Sequence, residues 1–430
     1  VVASCSPRTH EPLFQETIQE AGLNRYLFEL ANIRDQCSWV HQKDKGEATE
    51  KSKDLVRMAV ARASLIEPLK RLTLELNPAA LVIGGGIAGM VSALNVADQG
   101  FRVFLVDKEP ELGGIAQSIS TTLEGEKVQP FLESLINQIE KHPSITVYTN
   151  AELKQVSGYV GSYTSTVAIK GEDKPNEIKH GAAIIATGAH EFKTGEYGYG
   201  KDRRVLTQHE LECELAKENR RLKQVKNVVM VQCVGSRNEE HPYCSRICCG
   251  QAIKNALMLK ERNPEATVYI LYRDMRTYGL KEDFYREARE KGIIFIRYDL
   301  DTMPEVKFIK GADEDSIVTI AQDSFLGAKL SIDTDLLVLS VATVPAESNK
   351  AIGQLFKVPL TKEGFFLEAH VKLRPVDFAT DGVFLCGMAH YPKHIDETIA
   401  QASAVGARVG ILLARGVVEA EANISVVDET

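Results

Sequence analysis

The residues best suited to chemistry are four cysteines crowded between positions 233 and 249, and a glycine-rich loop at 84–89. Cys233, Cys244, Cys248 and Cys249 follow the spacing C-x10-C-x3-C-C. Four thiolates are what a cubane 4Fe–4S cluster needs, and a strand end running into a helix start supplies backbone N–H donors to its sulfurs. Arg237 and Arg246 are placed to offset cluster charge. Zinc also accepts four thiolates, but its usual knuckle pairs two C-x-x-C units, and the adjacent Cys248 and Cys249 fit that poorly. The spacing therefore predicts an iron–sulfur site, with zinc and buried or redox thiols as the alternatives.

The loop Gly84, Gly85, Gly86, Ile87, Ala88, Gly89 places G-x-G-x-x-G directly after an apolar run and at a helix start. Gly84 permits the tight turn, Gly86 lets backbone approach a pyrophosphate, and Gly89 lets helix pack on strand. The helix N-terminus then faces the phosphates. Asp107, with Lys108 beside it, ends the next apolar strand 23 residues after Gly84, as a ribose-hydroxyl acceptor should. Together these predict dinucleotide binding. Gly113 and Gly114, then Ala186, Thr187 and Gly188, then Gly387 with Gln401 on the following helix, resemble the successive motifs of glutathione-reductase-like flavoproteins. That resemblance implies FAD, with the 383–387 segment passing its ribityl chain. Cys386 within this segment is read as a small buried residue.

These motifs need positioning elements, and the chain supplies two alternations. The first runs strand 81–84, helix 90–99, strand 103–107; the second begins at Val228–Val231 and continues with helix 250–262, strand 267–272, helix 281–291 and strand 293–297. In disulfide reductases the second module carries another glycine loop for NAD(P)H, but here that loop has only Gly235 and carries Cys233 instead, so ordinary hydride uptake from NAD(P)H is not expected. Arg273 at the end of strand 267–272 could in isolation suggest a reader of a 2′-phosphate, but without the glycine loop it is read as a surface or structural residue. No C-x-x-C dithiol is present. The predicted fold class is α/β, a two-dinucleotide-binding-domain flavoprotein (thioredoxin/glutathione reductase-like) with a small N-terminal α/β domain. Its expected domains are 1–76, a partial iron–sulfur-type unit; 77–200 with 331–418, the FAD domain; 201–330, an inserted second Rossmann-like domain; and 419–430, a linker.

Within 1–76 a strand opens the chain, a helix is expected over Glu11–Leu23, and Tyr26–Ile33 forms a further apolar segment. Leu55, Met58, Ala59, Leu65, Ile66 and Leu69 then recur at helical spacing, predicting a core-facing helix that Pro68 breaks near Glu67. With 430 residues and 44% hydrophobic content, two or three domains are expected. A net charge of -8 without basic stripes argues against nucleic acid, and no apolar run reaches the roughly 20 residues of a membrane span. Eight cysteines are too sparse for a secreted disulfide scaffold, so the expected compartment is cytoplasmic.

Four signatures jointly resemble the HdrA family of heterodisulfide reductases: Cys5 to Phe14, Gln36 to His41, the flavin loop, and the Cys233–Arg237 and Tyr243–Cys249 segments. The resemblance implies a cubane cluster on the four cysteines above, and a further one in the N-terminal domain to which Cys5 and Cys37 belong, its other ligands lying upstream of Val1. It also implies an onward two-cluster ferredoxin module after residue 430, so truncation at both ends is expected, a naturally shorter relative being the alternative. The implied partners are heterodisulfide reductase subunits B and C, a hydrogenase or formate dehydrogenase, ferredoxin, and a second copy of the chain. The implied activity converts two-electron flavin chemistry to one-electron transfer, with flavin-based electron bifurcation in some members. Alternatives are a relay subunit of a quinone-interacting or acyl-CoA reductase complex, and a non-redox FAD-binding scaffold. No residue qualifies as an acid/base catalyst by motif. His10, His41, His190, His209, His390 and His394 are read as structural, with His390 and His394 placed nearest a flavin.

Overall fold

The computed structural model describes residues 1–310, 315–325, 327–420 and 422. It divides into two compact units, Val1–Leu74 with Val417–Thr430, and Glu75–Gly416. Most of the expected 419–430 linker lies outside the described residues.

In the smaller unit, Val2–Ser4 and Leu30–Asn32 pair in parallel. The first helix spans Pro7–Glu20, starting before the expected Glu11 because proline suits the first helical position. The second long helix spans Lys45–Ala63, capped by the Asp44 carboxylate, which accepts from the Glu47 N–H at 3.0 Å. It ends before Glu67, and the expected core-facing stripe is only partly buried. Ala59 is 5% exposed, whereas Met58 is 68% and Leu65 81% exposed. A two-stranded sheet offers one narrow face, which cannot cover a stripe this wide. Val417–Ala420, which spans the expected boundary between FAD domain and linker at 418/419, forms a strand that pairs with Leu72–Glu75.

The larger unit carries two five-stranded parallel sheets. The first has the order Val383–Leu385, Ala182–Ile185, Ala79–Ile83, Arg102–Val106, Ile145–Tyr148. All five residues of Ala79–Ile83 are buried, as a central strand covered on both faces requires. The Ile87–Ala97 and Ile395–Leu413 helices pack against each other beside this sheet. The second sheet has the order Val205–Thr207, Leu336–Val341, Asn227–Val234, Thr267–Tyr272, Ile294–Arg297. The sequence boundary at residue 331 puts Leu336–Val341 in the FAD domain, but Leu337 pairs with Val229 and with Val205 in the middle of the second sheet. A continuous apolar run specifies a buried strand without specifying its sheet.

Two antiparallel three-stranded sheets flank these layers, over 151–180 and 305–334. In the former, His180 is 0% exposed; its Nδ1–H donates to the Ala182 carbonyl at 2.8 Å, so its Nε2 accepts from the Ser165 hydroxyl at 2.8 Å. Both ring nitrogens are satisfied in the neutral form, and burial pushes the imidazole down to about 4. The unfolded chain therefore binds a proton near pH 6.5 that the folded chain refuses, and stability falls as pH drops through that value. His180→Gln is expected to shrink the loss of unfolding free energy between pH 7 and pH 5 by about 2 kcal/mol, read by urea denaturation at both pH values. An unchanged difference between the two pH values would refute the assignment.

Candidate functional site

The Asn227–Val234 strand loses its register between Val231 and Val234. At this bulge Cys233 takes φ +63°, a left-handed conformation uncommon for a residue with a side chain. Tyr298, fully buried, donates its hydroxyl to the Gln232 carbonyl at 2.7 Å and holds the bulge. Arg237 and Arg246 are also left-handed, so the 233–247 loop folds back to the start of the Cys248–Arg262 helix. Cys233, Cys248 and Cys249 are buried and Cys244 half-buried, all with free thiols.

The four thiols lie close enough to bias one another. Burial, then the Cys249 and Cys244 charges, pushes Cys233 up against the opposing effect of Arg237. Cys248 donates to Cys249; this bond and burial raise Cys248, while the same bond, with Arg276 and Arg237 and against burial, lowers Cys249 to about 7. Among the described residues no three His, Cys, Asp or Glu side chains converge as a single metal ion requires. The surroundings do match an anionic cluster. Arg237 Nη2 donates to Asp274 at 2.6 Å while its Nη1 is buried with no hydrogen-bond partner, and the Gln232 amide is likewise buried and unpartnered. The Arg237 guanidinium, which faces Cys233, suits a group rich in sulfur acceptors. The Arg246 N–H already donates to Cys244 Sγ at 3.4 Å. Arg273, as expected, serves structure by donating to the Arg237 carbonyl at 3.0 Å.

A cavity of about 1240 Å³ runs from the glycine loop to the cysteine helix. Gly84, Gly86, Ala88, Asp107, Lys108, Gly113, Gly114, Ala186, Thr187 and Gly188 line it, together with Cys248. Gly85, Gly89, Gly387 and Gln401 do not; they act behind the wall. A Cβ on Gly89 would meet the Gly84 carbonyl oxygen at 1.8 Å, whereas one on Gly86 would enter open space. The loop is thus closed toward the protein and open toward the cavity, as backbone cradling a pyrophosphate must be. Asp107 accepts from the Glu109 N–H at 2.8 Å and from the Gly85 N–H. Gln401 accepts from the Gly387 N–H at 2.9 Å. Cys386 is fully buried, and burial pushes its thiol up to about 12, in keeping with a small packed residue. The volume and the loop fit a dinucleotide as large as FAD.

His190, His209 and His394 line the cavity. His390 does not: its Nδ1 accepts from the Gln401 amide at 2.9 Å, the hydrogen-bonded structural role read from the sequence. His10 and His41 lie in the smaller unit. Cys37 there is buried and donates to the Ala48 carbonyl at 2.8 Å, and Cys5 is half-buried beside Ser4.

Sequence reasoning missed four lining residues. Lys254 Nζ, 8% exposed as a side chain, donates to Glu212 at 2.6 Å and to the Thr121 carbonyl at 2.8 Å. Burial lowers the Lys254 ammonium, and Glu212 offsets part of that. Lys393 is the third, 4% exposed. Glu191 is the fourth, and burial, together with the Glu210 and Glu212 charges, pushes it up to about 7. Polar residues amid the apolar 252–259 stretch were the available signal for Lys254; nothing marked Glu191, Glu212 or Lys393.

Comparison with known proteins agrees with this geometry. Residues 78–231 match the pyridine nucleotide-disulphide oxidoreductase family. The fold resembles T. acidophilum thioredoxin reductase at TM-score 0.52 and 15% identity over 78% of this chain and 98% of that one. Lactococcus lactis thioredoxin reductase gives TM-score 0.53 and 17% identity over 78% and 99%. The second A-type iron–sulfur subunit of the CoB–CoM heterodisulfide reductase of Methanopyrus kandleri is 37% identical over all of this chain and 78% of its own length. Its counterpart in the H(2):CoB-CoM heterodisulfide,ferredoxin reductase of Methanothermobacter thermautotrophicus is 35% identical with the same coverage. Both alignments extend over 520 positions against the 430 residues here, so the relatives carry inserted segments that this chain lacks. Among the described residues no helix is long and apolar enough to cross a membrane. With the flavoprotein fold, the dinucleotide cavity and the cysteine pattern in place, and with identity at this level over its full length, the chain belongs to the HdrA family of heterodisulfide reductases, a family of oxidoreductases.

Proposed function

We propose that this chain is the flavin- and iron–sulfur-bearing subunit of a heterodisulfide reductase-type complex, joining a two-electron donor to one-electron carriers. The observation that carries the reading is the position of Cys248, which lines the dinucleotide cavity and also belongs to the buried cysteine set. FAD exchanges electrons in pairs or singly, and a 4Fe–4S cluster exchanges them singly, which is the chemistry such a junction needs. Gly84, Gly86 and the Ile87–Ala97 helix N-terminus hold the pyrophosphate, and Asp107 the ribose. Cys233, Cys244, Cys248 and Cys249 hold the cluster, with Arg237 offsetting its charge and the Arg246 N–H donating to Cys244, while the Arg246 guanidinium is paired with Glu397 at 2.7 Å. Lys254 and Glu212 place a fixed ion pair on the cavity wall, and Glu191 can hold a proton there near neutral pH.

The relatives' names carry the reading outward. One of them couples hydrogen to a CoB–CoM heterodisulfide and ferredoxin, and another in Methanococcus maripaludis takes hydrogen or formate. Subunits B and C, a hydrogenase or formate dehydrogenase and ferredoxin are the corresponding partners proposed here, with the electron pair divided between disulfide and ferredoxin.

Anaerobic purification, followed by flavin and iron analysis and a visible spectrum, tests the site. About one flavin and about four irons per chain, with a broad absorbance that bleaches on dithionite addition, are expected. Flavin without iron would end the cluster assignment. Iron well above four would place a second cluster at Cys5 and Cys37.

A further inference from the structure

Among the described residues, Lys393 is a buried cation with no carboxylate in ion-pair contact. It is 4% exposed, lines the cavity, and among the described residues has no carboxylate within 4.0 Å. Its Nζ donates to the Gly387 carbonyl at 2.7 Å and to Gln401 Oε1 at 2.7 Å, and lies 3.9 Å from the centre of the Tyr391 ring. An ammonium has three N–H donors, so two carbonyl-type acceptors leave one unassigned. By contrast Lys254, the other buried lysine on the wall, is matched by Glu212. Burial pushes Lys393 down to about 7, with Arg246 adding to the shift and Cys386, Glu397 and Glu368 opposing it from beyond ion-pair contact.

Its location says what the charge is for. Lys393 precedes His394, and the His394 ring lies 3.5 Å from where a Gly250 Cβ would stand, one residue beyond Cys249. His394 thus brings this turn to the start of the cysteine helix, while the Lys393 Nζ reaches back to Gly387, the segment that passes the ribityl chain next to the ring in the flavoproteins this chain resembles. The phosphates have their own donors in the Gly84–Gly86 loop, so the ammonium is left for the redox-active end of the cofactor. The Ile395–Leu413 helix starts two residues later and adds its positive N-terminal end to the same region.

Uptake of two electrons and one proton adds one negative charge to a flavin. We infer that the Lys393 ammonium is the counter-charge for that added negative charge, so that this side chain favours the reduced cofactor and raises its potential. Lys393 is a positioning residue for charge, and the inference rests on the flavin reading above.

The test compares the full chain with Lys393→Met and Lys393→Gln, measuring the flavin midpoint potential anaerobically and the affinity for oxidised FAD by titration. Loss of the charge is expected to weaken binding of reduced relative to oxidised FAD at least tenfold, a potential about 30 mV more negative for a two-electron couple. Lys393→Arg is expected to restore it. Glutamine keeps a donor for the Gly387 carbonyl, so it reports on charge if the methionine variant does not fold. Equal potentials in wild type and the neutral variants overturn the inference. So does a fall in oxidised-FAD affinity with the potential unmoved, which assigns Lys393 to the phosphates. Wild-type protein that takes up no FAD under these conditions instead refutes the flavin reading.

Discussion

Cys248→Ser combined with Cys249→Ser is expected to reduce iron from about four to below about one per chain while FAD stays bound. The two thiols open the 248–262 helix and are 4% and 2% exposed, so serine fits their volume and the helix start should survive. What disappears is half of the ligand set, including the one cysteine that also lines the cavity. Transfer from reduced flavin to a one-electron acceptor should fall at least a hundredfold, because the path through the cysteines is gone. Cys386→Ser supplies the contrast. That thiol is equally buried but lies against the Ala88 carbonyl at 3.7 Å, and its loss should leave iron unchanged. Iron retained at wild-type level by the double variant, or lost equally in Cys386→Ser, would refute the 233–249 assignment. Circular dichroism and flavin content separate ligand loss from misfolding.

The cysteine spacing and both alternations were legible because each is local. An apolar run after a turn signal gave strand 267–272, and the structure places Thr267–Tyr272 there. Glycines with required backbone freedom marked the loop at 84–89, since Gly84 takes φ +111°. Long-range placement was illegible. Leu336–Val341 reads as a buried strand from its residues alone, yet only its pairing with Val228–Val231 decides which sheet it joins. Glu212 and Lys254 meet across 42 positions, and no periodicity connects them. His390 and His394 lie in an irregular stretch between the 387–389 turn and the 395–413 helix, where no periodicity tells that only His394 lines the cavity. In the smaller unit the helical stripe was legible, but what covers it was not. A pattern reports which face is apolar, and burial depends on how much surface the neighbouring elements offer.

Gly89→Ala and Gly86→Ala are expected to separate folding from cofactor binding in one loop. At Gly89 the new Cβ would lie 1.8 Å from the Gly84 carbonyl oxygen, a backbone atom that cannot swing aside, so helix and strand must part. The expected cost is about 3 kcal/mol or more of folding stability, with FAD binding lost as a consequence. At Gly86 the new Cβ meets nothing within 4 Å, and the residue has φ -75°, open to any side chain. Its stability cost is limited to about 1 kcal/mol, from replacing glycine at the helix N-cap. The space that this methyl enters is where a pyrophosphate must approach the backbone, and FAD affinity should fall at least a hundredfold, about 2.8 kcal/mol. Urea denaturation of the apoprotein and FAD titration measure the two quantities independently. Normal FAD affinity in Gly86→Ala would mean that the pyrophosphate lies elsewhere, because a loop closed on its protein side by Gly89 and open at Gly86 has no other use for that gap.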